Sequence, residues 1–300
     1  MNLYKKCMLC PRKCKVNRYK NTGFCGLNYK IKVALAKPFF YEEPPVSGNN
    51  GSGTIFFSGC NLKCCFCQNM KISKYNKGKY ISIKRLAEIM LELQKKHVHN
   101  INLVTPTMYI PSIIKAIKKA KKMGLTIPII YNSSGYENID AIKLLNGYID
   151  IYLPDFKYFD DKLANKYSKA NNYLLNAKLS LKEMVRQTGP CIFDKNGLIK
   201  KGTIVRHLML PNYKDDTKRI LDYLYQTYHD NIYISIMNQY TPNEYVEFKE
   251  LKKPIEEKDY DEIIAYALDI GIKNAFCQVG GTVSESFIPE FNYEGIKKNK

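Results

Sequence analysis

Residues 54–69 read TIFFSGCNLKCCFCQN, an apolar run followed at once by a loop that is rich in cysteine. The apolar run, Thr54–Phe57, has the length and the aromatic and β-branched content of a buried strand. The loop after it holds Cys60, Cys64 and Cys67 in a Cys-x3-Cys-x2-Cys spacing. We therefore expect a metal-binding loop directly after the first strand of the main fold.

The spacing of these cysteines limits the kind of metal group. Three thiolates on one short loop can ligate three irons of a 4Fe–4S cluster, and the fourth iron then stays open for a small molecule. A zinc site would need a fourth ligand in tetrahedral geometry, and the loop has no nearby histidine. Cys65 offers an alternative spacing, Cys-x4-Cys-x-Cys, if it replaces Cys64 as a ligand.

Downstream of the loop, short apolar runs alternate with longer segments of helical period. This alternation is typical of β–α units around a parallel sheet and predicts an α/β fold, a partial (β/α)6 barrel of the TIM type. The predicted strands are Thr54–Phe57, Asn100–Val104, Ile127–Tyr131, Asp150–Leu153, Ile204–Leu210 and Tyr233–Met237, with a further strand at Lys273–Cys277. The predicted helices are Ile83–Lys96, Ile110–Lys122, Asn138–Leu145, Tyr173–Thr188, Asp215–Tyr228 and Asp259–Leu268.

Polar residues follow several of these strands. Thr105 comes after the second strand, Asn132 and Ser133 after the third, and Lys157 after the fourth. In β/α barrels the active site is built from loops at the carboxyl ends of the strands. We expect these side chains to meet the cysteine loop at one rim of the barrel.

The first fifty residues differ from the rest of the chain. They contain Cys7, Cys10, Cys14 and Cys25, show little hydrophobic periodicity and end in a stretch rich in proline and glycine. Four thiolates suit a closed metal site, either zinc or a second Fe–S cluster, because thiolate ligation does not distinguish the two. We expect a Cys-rich metal-binding extension and linker at residues 1–50, the barrel at 51–280 and a C-terminal tail at 281–300.

The composition bears on partners and location. The chain carries 47 Lys and Arg residues against 28 Asp and Glu residues, a formal net charge of +19. Only six of these basic residues are Arg, the residue favoured for phosphate and base contacts, so we expect a solvated basic surface rather than a nucleic-acid partner. No apolar run is long enough to cross a bilayer, and clustered thiols suit a reducing compartment, so we predict a cytoplasmic protein.

The cysteine loop, in which the aromatic Phe66 precedes the third cysteine, resembles the cluster loop of the radical S-adenosylmethionine (SAM) superfamily. The family spacing assigns the iron ligands to Cys60, Cys64 and Cys67 and leaves Cys65 as a packed neighbour. The resemblance implies a 4Fe–4S cluster and SAM as cofactors, held in the partial barrel of radical SAM enzymes. It further implies reductive cleavage of SAM to a 5′-deoxyadenosyl radical that abstracts a hydrogen atom.

Two later segments are similar to the glycyl-radical-enzyme activases, of which pyruvate formate-lyase activating enzyme is the best known. Residues 151–157 (IYLPDFK) resemble the activase strand that ends in Asp-x-Lys, and residues 205–211 (VRHLMLP) resemble a later activase strand that carries an arginine. By this match Lys157 and Arg206 hold the SAM carboxylate or neighbouring polar atoms. Both assignments make electrostatic sense, because cations at a partly dry rim can pair with an anionic carboxylate.

The chain also departs from the activase pattern at two places. Thr105 stands where many family members carry Gly-Gly-Glu, and Asn132 and Ser133 stand where activases carry Asp-Thr-Asn-Gly. Hydroxyl and amide oxygens can accept hydrogen bonds from the ammonium or ribose of SAM, although less strongly than a carboxylate does. The chain resembles the members of a branch of iron–sulfur proteins that are similar to pyruvate formate-lyase activating enzyme.

These features favour a radical SAM enzyme, an activating-enzyme-like oxidoreductase that modifies or activates a protein partner. The partners implied are that protein substrate and an electron donor of the flavodoxin or ferredoxin type. Two alternatives stay open: radical modification of RNA or a small molecule, and a non-catalytic module that binds metal or nucleic acid. The sequence assigns no catalytic side chain beyond the residues that bind the cofactors.

Overall fold

The computed structural model describes residues 3–278 and 288–297. The strands are β1 (Ile31–Phe39), β2 (Ser52–Phe57), β3 (Lys79–Ile81), β4 (Ile101–Val104), β5 (Ile129–Ser133), β6 (Ile151–Pro154), β7 (Ile192–Phe193), β8 (Ile199–Leu208), β9 (Tyr233–Met237) and β10 (Ala275–Cys277). The α-helices are α1 (Pro44–Ser47), α2 (Met70–Ser73), α3 (Ile83–Lys95), α4 (Ile110–Lys122), α5 (Ile139–Lys143), α6 (Asp161–Ser168), α7 (Tyr173–Thr188), α8 (Lys214–Tyr228) and α9 (Glu257–Asp269). Of the predicted tail at 281–300, only residues 288–297 are described.

A run of parallel strands forms the body of the sheet. Their spatial order is β2–β4–β5–β6–β8–β9–β10, and each neighbouring pair is parallel. At least one helix connects each of these strands to the next, as successive β–α units require. The predicted fold class, a mixed α/β partial barrel, is confirmed.

The bounds of the elements follow the hydrophobic pattern closely. Strand β9 and helices α4 and α7 have the predicted bounds. Strand β8 begins earlier than predicted, because Ile199 and Lys201 pair with the short antiparallel strand β7. Helix α6 has no predicted counterpart.

Strand β1 was also missed by the sequence analysis. It pairs antiparallel with β2 on one side and with β3 on the other. Its residues Val33, Ala34 and Leu35 have no exposed surface. Part of the segment 1–50, which we expected to be an extension and linker, is therefore a strand of the main sheet. The division of the chain at residue 50 stays a prediction.

The inner face of the barrel has an apolar layer below a polar one. Side chains two residues apart on a strand point to the same face, so Ile130 shares its face with Asn132, and Ile204 shares its face with Arg206. Ile130 and Ile204 pack in one buried cluster with Val46 of α1. Burying such a side chain contributes about 1.5–3 kcal/mol, so α1 stably fills the lower end of the barrel.

Helices cover the outer face of the sheet. Leu86 of α3 and Ile113 of α4 belong to one buried cluster with Tyr131 and Tyr152, which alternate with the inward-facing residues of β5 and β6. Among the described residues, no helix combines the length and apolar character needed to cross a membrane.

The N-terminal segment (residues 3–30) packs against the loops that follow β2 and β4. The guanidinium of Arg18, a residue that is 1% exposed, donates to the carbonyls of Met108 and Asn28. The hydroxyls of Tyr4 and Ser112 are hydrogen-bonded at 2.9 Å. The segment is thus attached to the same end of the barrel as the cysteine loop.

Candidate active site

A cavity of about 230 Å³ opens at the carboxyl ends of the parallel strands. Its lining brings together all of the side chains that the sequence analysis predicted to bind SAM and its cluster. They are Cys60, Cys64, Phe66, Cys67, Thr105, Asn132, Ser133, Lys157 and Arg206. The lining also includes Asp155, Gln68, Met237 and Gln239.

The cysteine loop (residues 59–67) is fixed by bonds to distant elements. The backbone N–H of Lys63 donates to the carbonyl of Ser168 at 3.0 Å, and that of Cys65 donates to the carbonyl of Tyr167 at 2.9 Å. The Asn61 side chain is fully buried and donates to the carbonyl of Tyr136. The end of α6 and the loop after β5 therefore set the shape of the cysteine loop.

Gly59 is required where the loop leaves β2. Its φ is +82°, and a Cβ there would overlap with the side chain of Leu27 from the N-terminal segment. A side chain at this position would therefore combine backbone strain with a clash. The N-terminal segment and the cysteine loop are in direct contact here.

The three predicted iron ligands face the cavity as a group. The hydroxyl of Ser168 donates to Cys64 Sγ at 2.9 Å, and Cys67 Sγ lies 3.2 Å from the hydroxyl of Ser73. Burial raises the pKa of the Cys60 thiol to about 12 and that of Cys64 to about 11. Metal binding would displace these protons, because the thiolate is the ligand.

Cys65 is placed differently from its neighbours. Cys60, Cys64 and Cys67 line both the cavity and a neighbouring cleft of about 300 Å³, whereas Cys65 lines the cleft but not the cavity. The geometry therefore favours Cys64 over Cys65 as the thiol that belongs with Cys60 and Cys67.

The donor set of the cavity fits a 4Fe–4S cluster with one open iron. The described residues that line the cavity include three cysteines, with no fourth cysteine and no histidine, and its other sulfur, the Met237 thioether, is a weak donor. No three His, Cys, Asp or Glu side chains of the described chain meet where a single metal ion could sit. A cubane cluster takes each thiolate at a different iron and does not require three of them to converge on one ion.

Opposite the cysteines lies a partly buried group of charged side chains. Asp155 Oδ2 is 2.7 Å from Lys157 Nζ, and Asp155 Oδ1 is 2.9 Å from Arg206 Nη2. Burial opposes the charge of Lys157, but the carboxylate of Asp155 outweighs this and holds the pKa of Lys157 above its ordinary value. Burial also opposes the charge of Asp155, whose pKa nonetheless lies below its ordinary value because of the two cations.

The two cations differ in the donors that they leave free. An ammonium has three N–H donors, and the described contacts of Lys157 Nζ use one of them on Asp155. Arg206 donates from Nε to Asp155, from Nη1 to Glu42 and from Nη2 to Asn132. Because Nη2 also contacts Asp155, Arg206 has about one N–H left among its described contacts.

Thr105 is held in an unusual backbone conformation. Its φ is +56°, a left-handed value that is rare for a β-branched residue, and its N–H donates to the carbonyl of Asn132 at 2.8 Å. Strained residues of this kind cluster at ligand sites. The strained backbone at Thr105 is therefore in keeping with its position in the lining of the cavity.

Phe66 closes one side of the cavity. It is 7% exposed and meets Tyr240 in an edge-to-face contact, with 5.8 Å between ring centroids. The hydroxyl of Tyr240 donates to the carbonyl of Leu251 at 2.6 Å. Phe66 thus presents a fixed aromatic wall beside the cysteines.

The four cysteines of the N-terminal segment lie in one small region. An added Cβ on Gly23 would lie 3.5 Å from Cys14 Sγ and 3.7 Å from Cys25 Sγ. Burial raises the pKa of Cys25, which lies within electrostatic reach of Cys7 and Cys14. In this arrangement no three of the four described sulfurs meet where a single ion could sit, so the metal site predicted for Cys7, Cys10, Cys14 and Cys25 stays a prediction.

Several residues of the site were not found from the sequence. Ser168 and Ser73 reach cysteine sulfurs through contacts that have no short motif. Glu42 pairs with Arg206 at 3.1 Å across 164 positions of sequence. Its one signal was that Glu42 and Glu43 are the sole acidic residues among the first fifty.

Comparison with known proteins gives matches over most of the chain. Residues 54–224 match the family model of the Radical SAM superfamily. An uncharacterized protein of Methanocaldococcus jannaschii is 30% identical over 275 residues, which cover 85% of this chain and 75% of that protein. A protein of Haemophilus influenzae that carries the provisional name glycyl-radical enzyme activating enzyme is 30% identical over 119 residues, which cover 37% of this chain and 43% of that protein.

Solved structures show the same fold. SuiB of Streptococcus suis bound to S-adenosylmethionine has a TM-score of 0.51 and 15% identity, with 74% of this chain and 49% of SuiB covered. SuiB bound to its precursor peptide SuiA has a TM-score of 0.50 and 15% identity, with 74% of this chain and 47% of SuiB covered. The chain spans about half the length of SuiB, so this likeness concerns the fold alone.

Proposed function

The chain belongs to the radical SAM superfamily and is a radical SAM enzyme, and from that premise we propose its reaction and its substrate class. It holds a 4Fe–4S cluster on Cys60, Cys64 and Cys67 and cleaves SAM reductively to a 5′-deoxyadenosyl radical. This radical abstracts a hydrogen atom from a protein partner, in the manner of a glycyl radical enzyme activase. The observation that carries the proposal is that three thiols of one loop share a cavity with Lys157 and Arg206.

The charged group opposite the cysteines suits a cofactor that has a carboxylate and an ammonium. When bound, the cluster supplies the electron that breaks a carbon–sulfur bond of SAM. Lys157 keeps two N–H donors beyond Asp155 and is the better partner for the carboxylate, while Arg206 can add about one. Asp155 holds both cations at the cavity wall.

The remaining lining residues would orient the other parts of SAM. The hydroxyls of Thr105 and Ser133 and the amide of Asn132 can accept or donate hydrogen bonds at an ammonium or a ribose. Phe66 offers an apolar wall that excludes water beside the reacting groups.

A neighbouring groove supports a protein substrate. A cavity of about 420 Å³ shares Cys67 and Gln68 with the cofactor cavity and continues along Tyr75, Tyr245 and Phe291. Such a groove suits an extended peptide with apolar side chains. Two similar proteins also point to polypeptide partners of their own. The Haemophilus influenzae relative is named as an activator of a glycyl-radical enzyme, and SuiB has a structure with a precursor peptide bound.

We also propose an electron donor of the flavodoxin or ferredoxin type. The cleft behind the cysteine loop is bordered by four lysines and one acidic residue, Glu247, and its lining includes the loop cysteines. The lysines are Lys63, Lys74, Lys166 and Lys169. A positive surface beside the cluster would steer an acidic donor toward it.

The N-terminal segment would hold the second metal that its four cysteines predict. Four thiolates satisfy either zinc or an Fe–S cluster. Full-length protein analysed for iron, sulfide and zinc would distinguish them, since zinc brings no labile sulfide. The cytoplasmic location also stays a prediction.

The reaction is tested by product analysis without oxygen. The cluster is reconstituted, and dithionite and SAM are added to wild type and to Cys60→Ala. We expect 5′-deoxyadenosine from wild type and none above background from the variant. Wild type without product, or equal product from Cys60→Ala, would refute the proposed reaction.

The substrate class is tested by stimulation of this product. Clarified extract of the source cells is added after treatment with protease, with ribonuclease or by passage through a small-pore filter. We expect stimulation that protease removes and ribonuclease leaves intact. Stimulation that ribonuclease removes would favour RNA, and stimulation by the filtrate would favour a small molecule.

A further inference from the structure

A carboxylate inside the barrel contacts the cofactor site from below. Glu42 lies between β1 and α1, and its side chain is 8% exposed. Its backbone N–H donates to the hydroxyl of Ser47 at 3.0 Å, and that hydroxyl donates back to the Glu42 carbonyl at 3.3 Å. The buried helix α1 therefore fixes the backbone position from which the Glu42 side chain points toward the cofactor cavity.

The two oxygens of Glu42 join three strands. Oε1 accepts from Asn102 Nδ2 of β4 at 3.0 Å and from Asn132 Nδ2 of β5 at 3.3 Å. Oε2 accepts from Arg206 Nη1 of β8 at 3.1 Å. Glu42 itself does not line the cofactor cavity, whereas Asn132 and Arg206 do.

The contacts of Asn132 depend on the charge of Glu42. Its amide nitrogen donates to Glu42, and its amide oxygen accepts from Arg206 Nη2 at 2.7 Å. A carboxylate on one side and a guanidinium on the other fix which end of the amide faces which neighbour. Arg206 in turn donates to Asp155, the partner of Lys157.

We propose that Glu42 is a positioning residue for SAM binding, which orients the Asn132 amide and the Arg206 guanidinium at the cofactor cavity. The inference rests on the proposed function of that cavity. Glu42→Gln keeps the shape of the side chain but replaces one carboxylate oxygen by an NH2 group. This NH2 group would face an N–H donor, because Asn102, Asn132 and Arg206 all donate to Glu42. The amide and the guanidinium would then lose their fixed orientation.

The chain also offers a matched control for Glu42, a second buried carboxylate. Glu183 of α7 is 5% exposed, accepts from Arg186 at 2.7 and 2.8 Å and from Gln187 at 2.8 Å, and does not line the cavity. Like Glu42, it therefore receives hydrogen bonds from a guanidinium and from an amide. Glu183→Gln changes a similar buried carboxylate whose described hydrogen bonds reach no side chain of the cavity lining.

The experiment measures binding of S-adenosylhomocysteine, which is not cleaved, to reconstituted wild type, Glu42→Gln and Glu183→Gln by calorimetry in the absence of oxygen. Thermal unfolding and iron content are recorded for each variant. We expect Glu42→Gln to bind about tenfold more weakly or worse, with full iron content, and Glu183→Gln to stay within about threefold of wild type. Equal affinities of the three proteins, or equal weakening in both variants, would overturn the role of Glu42.

A pH series separates positioning from general loss of stability. The charged groups that face Glu42 are Arg206 from β8, Asp155 after β6 and its neighbour Glu43, and Arg206 opposes the effect of burial on its pKa. Because burial raises the pKa of Glu42, binding in wild type should weaken as the pH falls through that raised pKa, and this dependence should be absent in Glu42→Gln. An identical pH dependence in both would contradict the inference. If wild type binds no S-adenosyl compound at all, the proposed function of the cavity fails, and the inference about Glu42 fails with it.

Discussion

The cysteine loop and the N-terminal segment both gather thiols, but the surroundings of these thiols differ. The thiols of Cys60, Cys64 and Cys67 share a cavity with paired charges that follow β6 or belong to β8. The thiols of the N-terminal segment lie among backbone turns, and Cys7 and Cys25 are buried there. A cluster that acts on a substrate needs such an opening, whereas a metal that stabilises a short segment needs enclosure.

The two regions are nevertheless in contact. Arg12 donates from Nε to the carbonyl of Asn61 at 2.9 Å, and its guanidinium stacks on Phe24 at 3.9 Å. Leu27 packs where Gly59 has no side chain. The N-terminal segment therefore supports the cysteine loop, and changes in each region should have separable effects.

The largest effect is expected from one cysteine of the loop. Cys64→Ala should lose about four irons per chain and all 5′-deoxyadenosine formation, because one corner of the cluster has no ligand. Cys65→Ala, its matched control, should keep both, because Cys65 lies outside the cavity. Iron analysis measures the iron content, and product chromatography measures the 5′-deoxyadenosine. Loss of product in Cys65→Ala with retention in Cys64→Ala would reverse the ligand assignment.

A cysteine of the N-terminal segment should affect stability more than chemistry. Cys25→Ser should lose the second metal and lower the unfolding temperature, because a structural metal contributes several kcal/mol to folding. Iron bound by the cysteine loop and some product should remain. The exposed Cys277 provides the control Cys277→Ser, which should match wild type. Unchanged metal content and stability in Cys25→Ser would show that the segment binds no metal.

Lys157→Met tests the charged wall of the cavity. A hydrogen bond to a charged group contributes about 2 kcal/mol, so SAM should bind roughly 30-fold more weakly while cluster content is kept. The control is Lys162→Met, which changes an exposed lysine outside the cavity. Calorimetry with S-adenosylhomocysteine measures the difference. Equal affinity of the two variants would remove Lys157 from the cofactor site.

The smallest effect is expected where the two regions touch. Arg12→Met removes the hydrogen bond to Asn61 and the contact with Phe24, and should lower the free energy of unfolding by about 1–2 kcal/mol. Lys13→Met, at the exposed neighbouring position, should change it little. Denaturant unfolding without oxygen gives both values. If the two variants are equally stable, the contact does not support the loop.

The barrel could be predicted from the sequence because its signals are local. Helix α4 shows its 3.6-residue period, and strand β9 is a short apolar run. The cysteine spacing belongs to one loop and needs no tertiary information. Lys157 and Thr105 follow strand ends, and the parallel sheet brings these ends together.

What the sequence did not reveal depends on contacts across the chain. Strand β1 is an apolar run, IKVALAKPF, but its neighbourhood of cysteines and lysines hid its pairing with β2. Glu42 reaches Arg206 because α1 is packed inside the barrel, which no local pattern shows. Ser168 reaches Cys64 across 104 positions for the same reason.

The most direct test of the central claim is the electron paramagnetic resonance spectrum of the dithionite-reduced protein with and without SAM. The open iron of a cluster on Cys60, Cys64 and Cys67 predicts a spectrum that changes when SAM is added, in wild type and in Cys65→Ala. The same change should be absent in Cys64→Ala. A wild-type spectrum that SAM leaves unaltered, or a SAM-dependent change that survives in Cys64→Ala, would contradict the account.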